Sequence, residues 1–326
     1  MALALVTGGA GFIGSHTGEA FAGRDDEVVC LDSFHDYYPR EIKERNLERL
    51  RQSDRFHLVE GDVCDAAIVE DTFARYQPDV VVHLAARAGV RPSLQEPEEY
   101  LRVNIEGTLN MLRAAVQHPP RRFVFASSSS VYGCRNSLPY SEHQDITHPM
   151  SPYAASKVGA EALCFTYHHL YQLPVTCLRF FTVFGPRQRP DLAINTFVRL
   201  MLENQPVRMF GDGSSSRDYT YVGDVVRAVL AAADTELDFE TINVGNSHPL
   251  TLRELIAAVG QAVGREPRIE QLPAQPGDML HTYADISKAK MLLGWEPQVS
   301  MAEGLAEFVR WHREDSEVPG ETVALR

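Results

Sequence analysis

Tyr153 and Lys157, in the run Tyr153-Ala154-Ala155-Ser156-Lys157, are spaced as an acid/base pair. Side chains one helical turn apart share a helix face. A lysine ammonium there favours the phenolate and draws a tyrosine pKa from about 10 towards working pH. A hydroxyl-rich run lies upstream, Ala126-Ser127-Ser128-Ser129-Ser130-Val131-Tyr132-Gly133. A hydroxyl from that run can share the proton the tyrosine moves. Tyr-x-x-x-Lys alone arises often by chance on amphipathic helices, so its meaning depends on what else the chain carries.

The other end supplies it. The apolar run Ala2-Leu3-Ala4-Leu5-Val6 leads into Thr7-Gly8-Gly9-Ala10-Gly11-Phe12-Ile13-Gly14 and then a helix-like stretch. Glycines at 8, 11 and 14 in a strand–turn–helix setting allow a tight turn, close approach of a pyrophosphate to backbone N–H groups, and tight helix packing. The helix N-terminus adds partial positive charge. A second apolar run, Val28-Val29-Cys30-Leu31, ends at Asp32, where an acidic group takes the adenosine ribose hydroxyls. A carboxylate there repels a 2′-phosphate, and no arginine follows it directly, so the expected cofactor is NAD rather than NADP. The alternative is a glycine-rich turn with no ligand; Asp32 in register disfavours it.

The elements that must hold these groups alternate. Strand-like runs fall at 2–7, 27–31, 56–59, 79–83, 122–126 and 174–179, with helical patterns at 11–23, 65–76, 97–117 and 152–171 between them. Such alternation predicts an α/β fold, a Rossmann-type doubly wound parallel sheet covered on both faces. The polar stretch from His35 to Asp54 reads as an exposed inserted helix. Beyond residue 180, turns such as Gly185-Pro186 and Pro276-Gly277 punctuate amphipathic segments at 192–204, 222–233, 251–263, 285–293 and 301–313. Residues 1–180 thus read as a dinucleotide-binding domain, and 181–326 as a smaller, mostly helical substrate lobe with segments able to return to the first. Ligands of open parallel sheets bind beyond the carboxyl ends of the strands, where Gly8, Asp32, Asp62, Ala85 and Ser128 all fall.

Composition narrows the partners. A chain of 326 residues has enough apolar content for one large core and a second lobe. A formal charge of −13 argues against nucleic-acid or anionic-membrane surfaces. No apolar run approaches the ~20 residues that span a bilayer, and the chain opens directly on a strand. The five scattered cysteines lack C-x-x-C spacing and fit reduced thiols. The expected setting is the cytoplasm. None of the histidines has a convincing ligand set, so no metal is expected. Trp295 and Trp311 read as packing residues.

With these residues placed, the chain resembles an extended short-chain dehydrogenase/reductase of the NAD-dependent nucleotide-sugar epimerase/dehydratase family. Thr7-Gly8-x-x-Gly11-x-x-Gly14, Gly61-Asp62-Val63, His83-Leu84-Ala85-Ala86, Val103-Asn104, Tyr153-x-x-x-Lys157 and Gly211-x-Gly213-x-x-x-Arg217-Asp218 follow the family's order and spacing. The resemblance implies tightly bound, recycled NAD. It implies Asp62 and Val63 beside the adenine, and Leu84, Ala85, Ala86 and Arg87 along the cofactor. Phe12, Ile13, Ala126 and Val183 would touch the cofactor too, with Asn104 near the active-site helix, Lys157 on the nicotinamide ribose and Phe180 near the carboxamide. Asp32 to Tyr38, Arg87 to Ser93, Arg179 to Pro186 and Arg189 to Ala193 are similar to segments of the UDP-glucuronate 4-epimerase subfamily. Substrate contacts are then expected from Arg189, Ala193, Thr182 and Ser128 to Ser130. Asp278 resembles the residue contacting uridine ribose. Gln275 stands where related epimerases often have arginine, which weakens a diphosphate contact from that loop.

Chemistry separates the subclasses. Nucleotide-sugar dehydratases add an Asp-Glu pair just after the strand-end hydroxyl; here Ser129 and Ser130 occupy those positions, and neither is a carboxylate acid/base. Ser128 is the expected catalytic hydroxyl. The alternative for Ser127 to Ser130 is a polar strand end bonding its own backbone. The implied reaction is inversion at C4 of a UDP-sugar through a 4-keto intermediate, with Tyr153 taking the proton, Ser128 sharing it and Lys157 tuning the phenol. Glucuronate is the first expectation for the sugar. Glucose, N-acetylglucosamine, decarboxylation, and a non-enzymatic NAD-binding protein are the alternatives. Arg217 is the first choice for the diphosphate, Arg91 or Arg187 the second. The segments 97–117 and 152–171 carry more apolar residues than one face needs, which points to a two-fold homodimer.

Overall fold

A computed structural model describes residues 1–273 and 280–316. In chain order the first half comprises β1 Leu3–Thr7, α1 Phe12–Ala22, β2 Glu27–Asp32, α2 Arg40–Asn46, β3 Phe56–Glu60, α3 Ala66–Tyr76, β4 Val80–His83, α4 Val90–Ser93, α5 Pro97–Leu101, α6 Gly107–Gln117 and β5 Arg122–Ser128. Then follow α7 Pro152–Tyr171, β6 Val175–Phe180, β7 Thr182–Phe184, α8 Ala193–Leu202, β8 Val207–Phe210, β9 Ser216–Tyr221, α9 Val222–Asp234 and β10 Phe239–Val244. The last are β11 Pro249–Thr251, α10 Leu252–Val263, β12 Ile269–Leu272, α11 Ser287–Leu293 and α12 Met301–Ser316.

Seven parallel strands form the main sheet in the order β10-β6-β5-β4-β1-β2-β3. Alternating side chains fill two cores, because successive residues of a strand face opposite sides. Ala4 and Val6 pack towards α1 and α9, whereas Leu5 packs towards α3, α6 and α7. Both faces are covered, which is why these strands read as unbroken apolar runs. The strand order reverses between β1 and β4, and a crevice opens there beyond the strand ends.

Helices dominate beyond β7, with two small sheets, β11-β9-β7 and β12-β8, set among them. A third core joins α8, α10 and α12 through Phe197, Val198, Leu255, Val259 and Phe308. The sequence reading missed β10, which returns to extend the main sheet beside β6. It also misjudged residues 35–54. Lys43, Asn46, Leu47 and Leu50 are buried there, and Asn46 Nδ2 donates to the Ala10 carbonyl at 2.9 Å. Lys43 and these neutral side chains turn inward and brace the glycine turn, while Arg40, Glu41, Glu48, Arg49 and Arg51 stay exposed as the expected solvated face. No described helix is long and apolar enough to cross a membrane.

Candidate active site

The crevice is a cleft of about 500 Å³. At one end stands the glycine turn. Gly8 has φ of +66°, and a Cβ on it would lie 2.9 Å from the Ala85 amide nitrogen. On Gly14 a Cβ would meet the Gly8 carbonyl oxygen at 2.1 Å. Side chains are thus excluded where the backbone meets the cleft. Helix α1 begins at Phe12 behind Gly11 with no capping side chain, which leaves first-turn N–H groups and the helix dipole for an anion.

Asp32 closes this end. Its Oδ2 accepts from the Ala10 amide at 2.9 Å and its Oδ1 from the Phe34 amide at 2.8 Å. Burial pushes its pKa up, while those amides and Lys43 pull it down. Uncapped amides, a glycine cradle and a buried carboxylate match the pyrophosphate and ribose of a dinucleotide. Gly11, Ile13, Asp62, Val63, Leu84, Ala86, Arg87, Val103, Ala126, Phe180 and Val183 also line the cleft.

The other end holds the acid/base groups. Helix α7 starts where Ser151 accepts from the Ala154 amide at 3.1 Å with Pro152 in the first turn. This sets Tyr153 and Lys157 on the face towards β5. Ser128 ends β5; its Oγ donates to Ser130 Oγ at 3.1 Å and accepts from the Ser130 amide at 3.2 Å. Ser127, Ser129, Ser130, Thr182 and Arg189 complete this end.

Lys157 is buried beside β5. Its Nζ donates to the Ala126 carbonyl at 2.7 Å, and burial lowers its pKa to about 8 against opposing groups that include Glu161. Burial raises the Tyr153 pKa, and the groups pulling it back are the Ser128 hydroxyl and the Arg189 guanidinium. The Ser128 hydroxyl and the Arg189 guanidinium thus favour the phenolate, and the Lys157 ammonium is held against the end of β5.

Asn104 does not line the cleft but braces it. Its Oδ1 accepts from the Arg87 amide at 2.8 Å, and its Nδ2 donates to the Arg87 carbonyl at 3.0 Å and Ser156 Oγ at 2.8 Å. Ser156 Oγ in turn donates to the Tyr153 carbonyl at 2.7 Å. Asn104 lies in a π-helical turn, Arg102–Glu106, between α5 and α6, a deformation often found at functional sites.

The arginines separate. Arg187, the second-choice diphosphate ligand, is not brought to the cleft: its Nη2 pairs with Glu19 Oε1 on α1 at 2.6 Å. Arg91 lies with its guanidinium carbon 5.8 Å from the Phe210 ring centroid. Arg217 Nη1 donates to the Ser216 carbonyl at 2.9 Å and the Leu280 carbonyl at 3.4 Å. Neither of these two lines the cleft, nor does Ala193, which is exposed at the start of α8 beside the lining residue Leu192. Asp278 and Gln275 lie outside the described residues.

Residues that the sequence reading left unassigned also enter the cleft, among them His35, Tyr37, Tyr38 and Lys43. For the first three the signal was the segment from Asp32 to Tyr38, noted for its resemblance but given no role; Lys43 was read as part of the exposed polar stretch. Among the described residues no group of His, Cys, Asp or Glu could hold a metal.

Comparison with known proteins agrees with this geometry. Residues 5–308 match the family model for GDP-mannose 4,6 dehydratase. The UDP-glucuronate 4-epimerase of Thermodesulfobacterium geofontis is 40% identical over 315 residues, covering 96% of this chain and 97% of that protein. The crystal structure of Bacillus cereus UDP-glucuronic acid 4-epimerase, in complex with UDP-glucuronic acid and NAD, superposes with a TM-score of 0.90 at 36% identity, over 96% of this chain and 99% of that one. A Thermotoga maritima UDP-glucose 4-epimerase with UDP-glucose also gives 0.90, at 34% identity over 97% of this chain and 100% of that one. The chain thus belongs to the nucleotide-sugar epimerase/dehydratase family of extended short-chain dehydrogenases/reductases.

Proposed function

We propose that this protein is an NAD-dependent UDP-sugar 4-epimerase that converts UDP-glucuronate to UDP-galacturonate. The observation that carries the reading is one cleft running from Asp32 to Ser128, Tyr153 and Lys157, with Ser129 and Ser130 in place of a second carboxylate pair. NAD held between Asp32 and Lys157 would supply the hydride acceptor and donor. Tyr153 removes the proton of the C4 hydroxyl and returns it to that oxygen once C4 is inverted, and Ser128 shares that proton. Lys157, anchored on Ala126, fixes the seam between α7 and β5 beside the nicotinamide ribose. Ser129, Ser130 and Thr182 offer neutral hydroxyls to the sugar carboxylate, holding it against loss of carbon dioxide. Without a carboxylate at 129 or 130, dehydration lacks its acid/base pair.

Relatives named for glucuronate favour that sugar; the equal likeness to a UDP-glucose epimerase is the specific reason to test glucose. Incubation with a panel of UDP-sugars without added cofactor, followed by NMR, distinguishes them. Interconversion of UDP-glucuronate and UDP-galacturonate is expected. UDP-pentose as the main product, or turnover of UDP-glucose alone, overturns the assignment.

Residues 1–180 would hold NAD and 181–326 the nucleotide-sugar, with α9 and β10 packed back on the first part. A homodimer fits the outer face of α5 to α7. Val103, Met111 and Leu112 are buried, whereas Leu101 (45%), Phe165 (53%) and Leu170 (60%) remain exposed, an apolar surface suited to a two-fold helix contact. Cys30, Cys164 and Cys177 are free and buried, which suits a reducing cytoplasm.

A further inference from the structure

Three connections surround the cleft, and one side chain touches the other two. Tyr37, between β2 and α2, lies with its ring centroid 4.9 Å from the Arg87 guanidinium carbon and 5.1 Å from that of Arg189. Its hydroxyl donates to Asp191 Oδ2 at 3.2 Å. Arg87 belongs to the connection after β4, and Arg189 and Asp191 to the one after β7.

Two guanidiniums beside one ring would repel each other unless each charge were matched, and each is. Arg189 donates from Nε and Nη2 to the two Asp191 oxygens at 3.0 and 2.8 Å. Arg87 Nη2 donates to Glu96 Oε2 at 2.6 Å. Arg189 also reaches across to the Ala88 carbonyl, Nη1 to O at 3.3 Å. Arg87 Nη1 also lies 3.3 Å from His35 Nδ1; every link uses at least one side chain, and among the described residues no bond between two main chains joins the three connections. Such links can part and re-form without unfolding a secondary element. Arg87 is buried, yet its Nε has no hydrogen-bond partner, an unmet donor on a residue that lines the cleft.

We propose that Tyr37 is the centre of a clasp that closes the three connections around the bound dinucleotide and sets how slowly it leaves. This inference rests on the NAD-binding reading above. Tyr37, Arg87 and Arg189 all line the cleft between Asp32 and Lys157, so a dinucleotide held there would lie against these contacts and leave more easily once they part. Retention matters to an epimerase of this chemistry, because the hydride taken from the sugar must be returned before the reduced cofactor escapes. Cation–π contacts and a carboxylate hydrogen bond suit the task, being individually modest and jointly sufficient to slow release.

The test is a chase. Protein loaded with radiolabelled NAD is mixed with excess unlabelled NAD, and loss of label is followed by rapid filtration. Tyr37→Phe keeps the ring and loses the hydroxyl, and should release label about threefold faster than wild type. Tyr37→Ala loses both and should release it about thirtyfold faster or more, since contact losses appear chiefly in dissociation rates. Asp191→Ala, at an exposed position, should fall between them and carries the test if Tyr37→Ala does not fold. Thermal melts of the stripped variants separate local opening from lost fold. Unchanged release from Tyr37→Ala, or from Asp191→Ala where the former does not fold, overturns the clasp while leaving the NAD reading intact. A wild-type protein that holds no NAD overturns both.

Discussion

Arg179 on β6 and Glu161 on α7 form a two-point ion pair, Nε to Oε1 at 2.9 Å and Nη2 to Oε2 at 2.7 Å, with both side chains almost wholly buried. Ser127 Oγ donates to the same Oε1 at 2.5 Å. Glu161 follows Tyr153 and Lys157 along one face of α7, so this pair holds the catalytic helix against the strand that ends in Ser128. Removing one partner strands a buried charge, at about 3–5 kcal/mol. Glu161→Leu should lose about that much stability in urea unfolding, and Glu161→Leu with Arg179→Met should recover much of it. If the single variant unfolds at the wild-type midpoint, the pair contributes nothing.

Tyr153→Phe deletes the ionisable oxygen and leaves the ring edge-on to Tyr100, with centroids 6.1 Å apart. Turnover should fall by at least about 100-fold, the usual scale for a lost acid/base group, while bound NAD and melting temperature stay near wild type. Near-normal kcat in this variant removes the phenol from the mechanism.

Asp32→Ala removes the charged acceptor proposed for the ribose, which also holds the Ala10 and Phe34 amides. A loss of roughly 1.5–3 kcal/mol follows, so NAD should bind about ten- to hundredfold more weakly to the stripped protein. The preference for NAD over NADP should shrink, because the carboxylate no longer repels a 2′-phosphate. Fluorescence titration with both dinucleotides measures the two effects.

Burial lowers the His83 pKa to about 3, against ~6.5 for an unfolded histidine. The ring lies between Thr7 Oγ1 at 2.7 Å and Thr108 Oγ1 at 3.1 Å. Between those pH values the unfolded chain binds the additional proton, so stability should fall as pH drops from about 6.5 towards 3 and be indifferent to this group above 6.5. His83→Gln should flatten that slope by up to about 1.4 kcal/mol per pH unit, read from urea unfolding at several pH values. His16, lowered to about 4 mainly by burial, contributes in the same direction and remains in the variant as an internal reference.

Phe165→Glu with Leu101→Glu places charge on the apolar outer helix face. Sedimentation should show wild type as a dimer at micromolar concentration and the variant as a monomer with its fold intact. A wild-type monomer ends the dimer proposal.

Much of this protein was legible locally. The Gly8–Gly14 spacing, the apolar runs ending at Asp32 and Ser128, and the turn between Tyr153 and Lys157 are short-range patterns that backbone geometry reads directly. What escaped was long-range. Phe239–Val244 is too brief a run to announce that it joins the sheet beside β6; only pairing with β6 and burial of Ile242 and Val244 in the shared core decide it. The charges of residues 35–54 read as solvated until Lys43 and Asn46 are seen bracing the cofactor end. Arginines were the least legible of all. A guanidinium on a long, flexible stem reaches whichever group the fold brings near, so Arg187 went to Glu19 and Arg189 to Tyr37. The sequence by itself determined six of the seven strands and the residues at their ends, because those depend on periods of a few residues. Tertiary structure alone decided which charged side chains meet across the cleft, because those partners lie far apart along the chain.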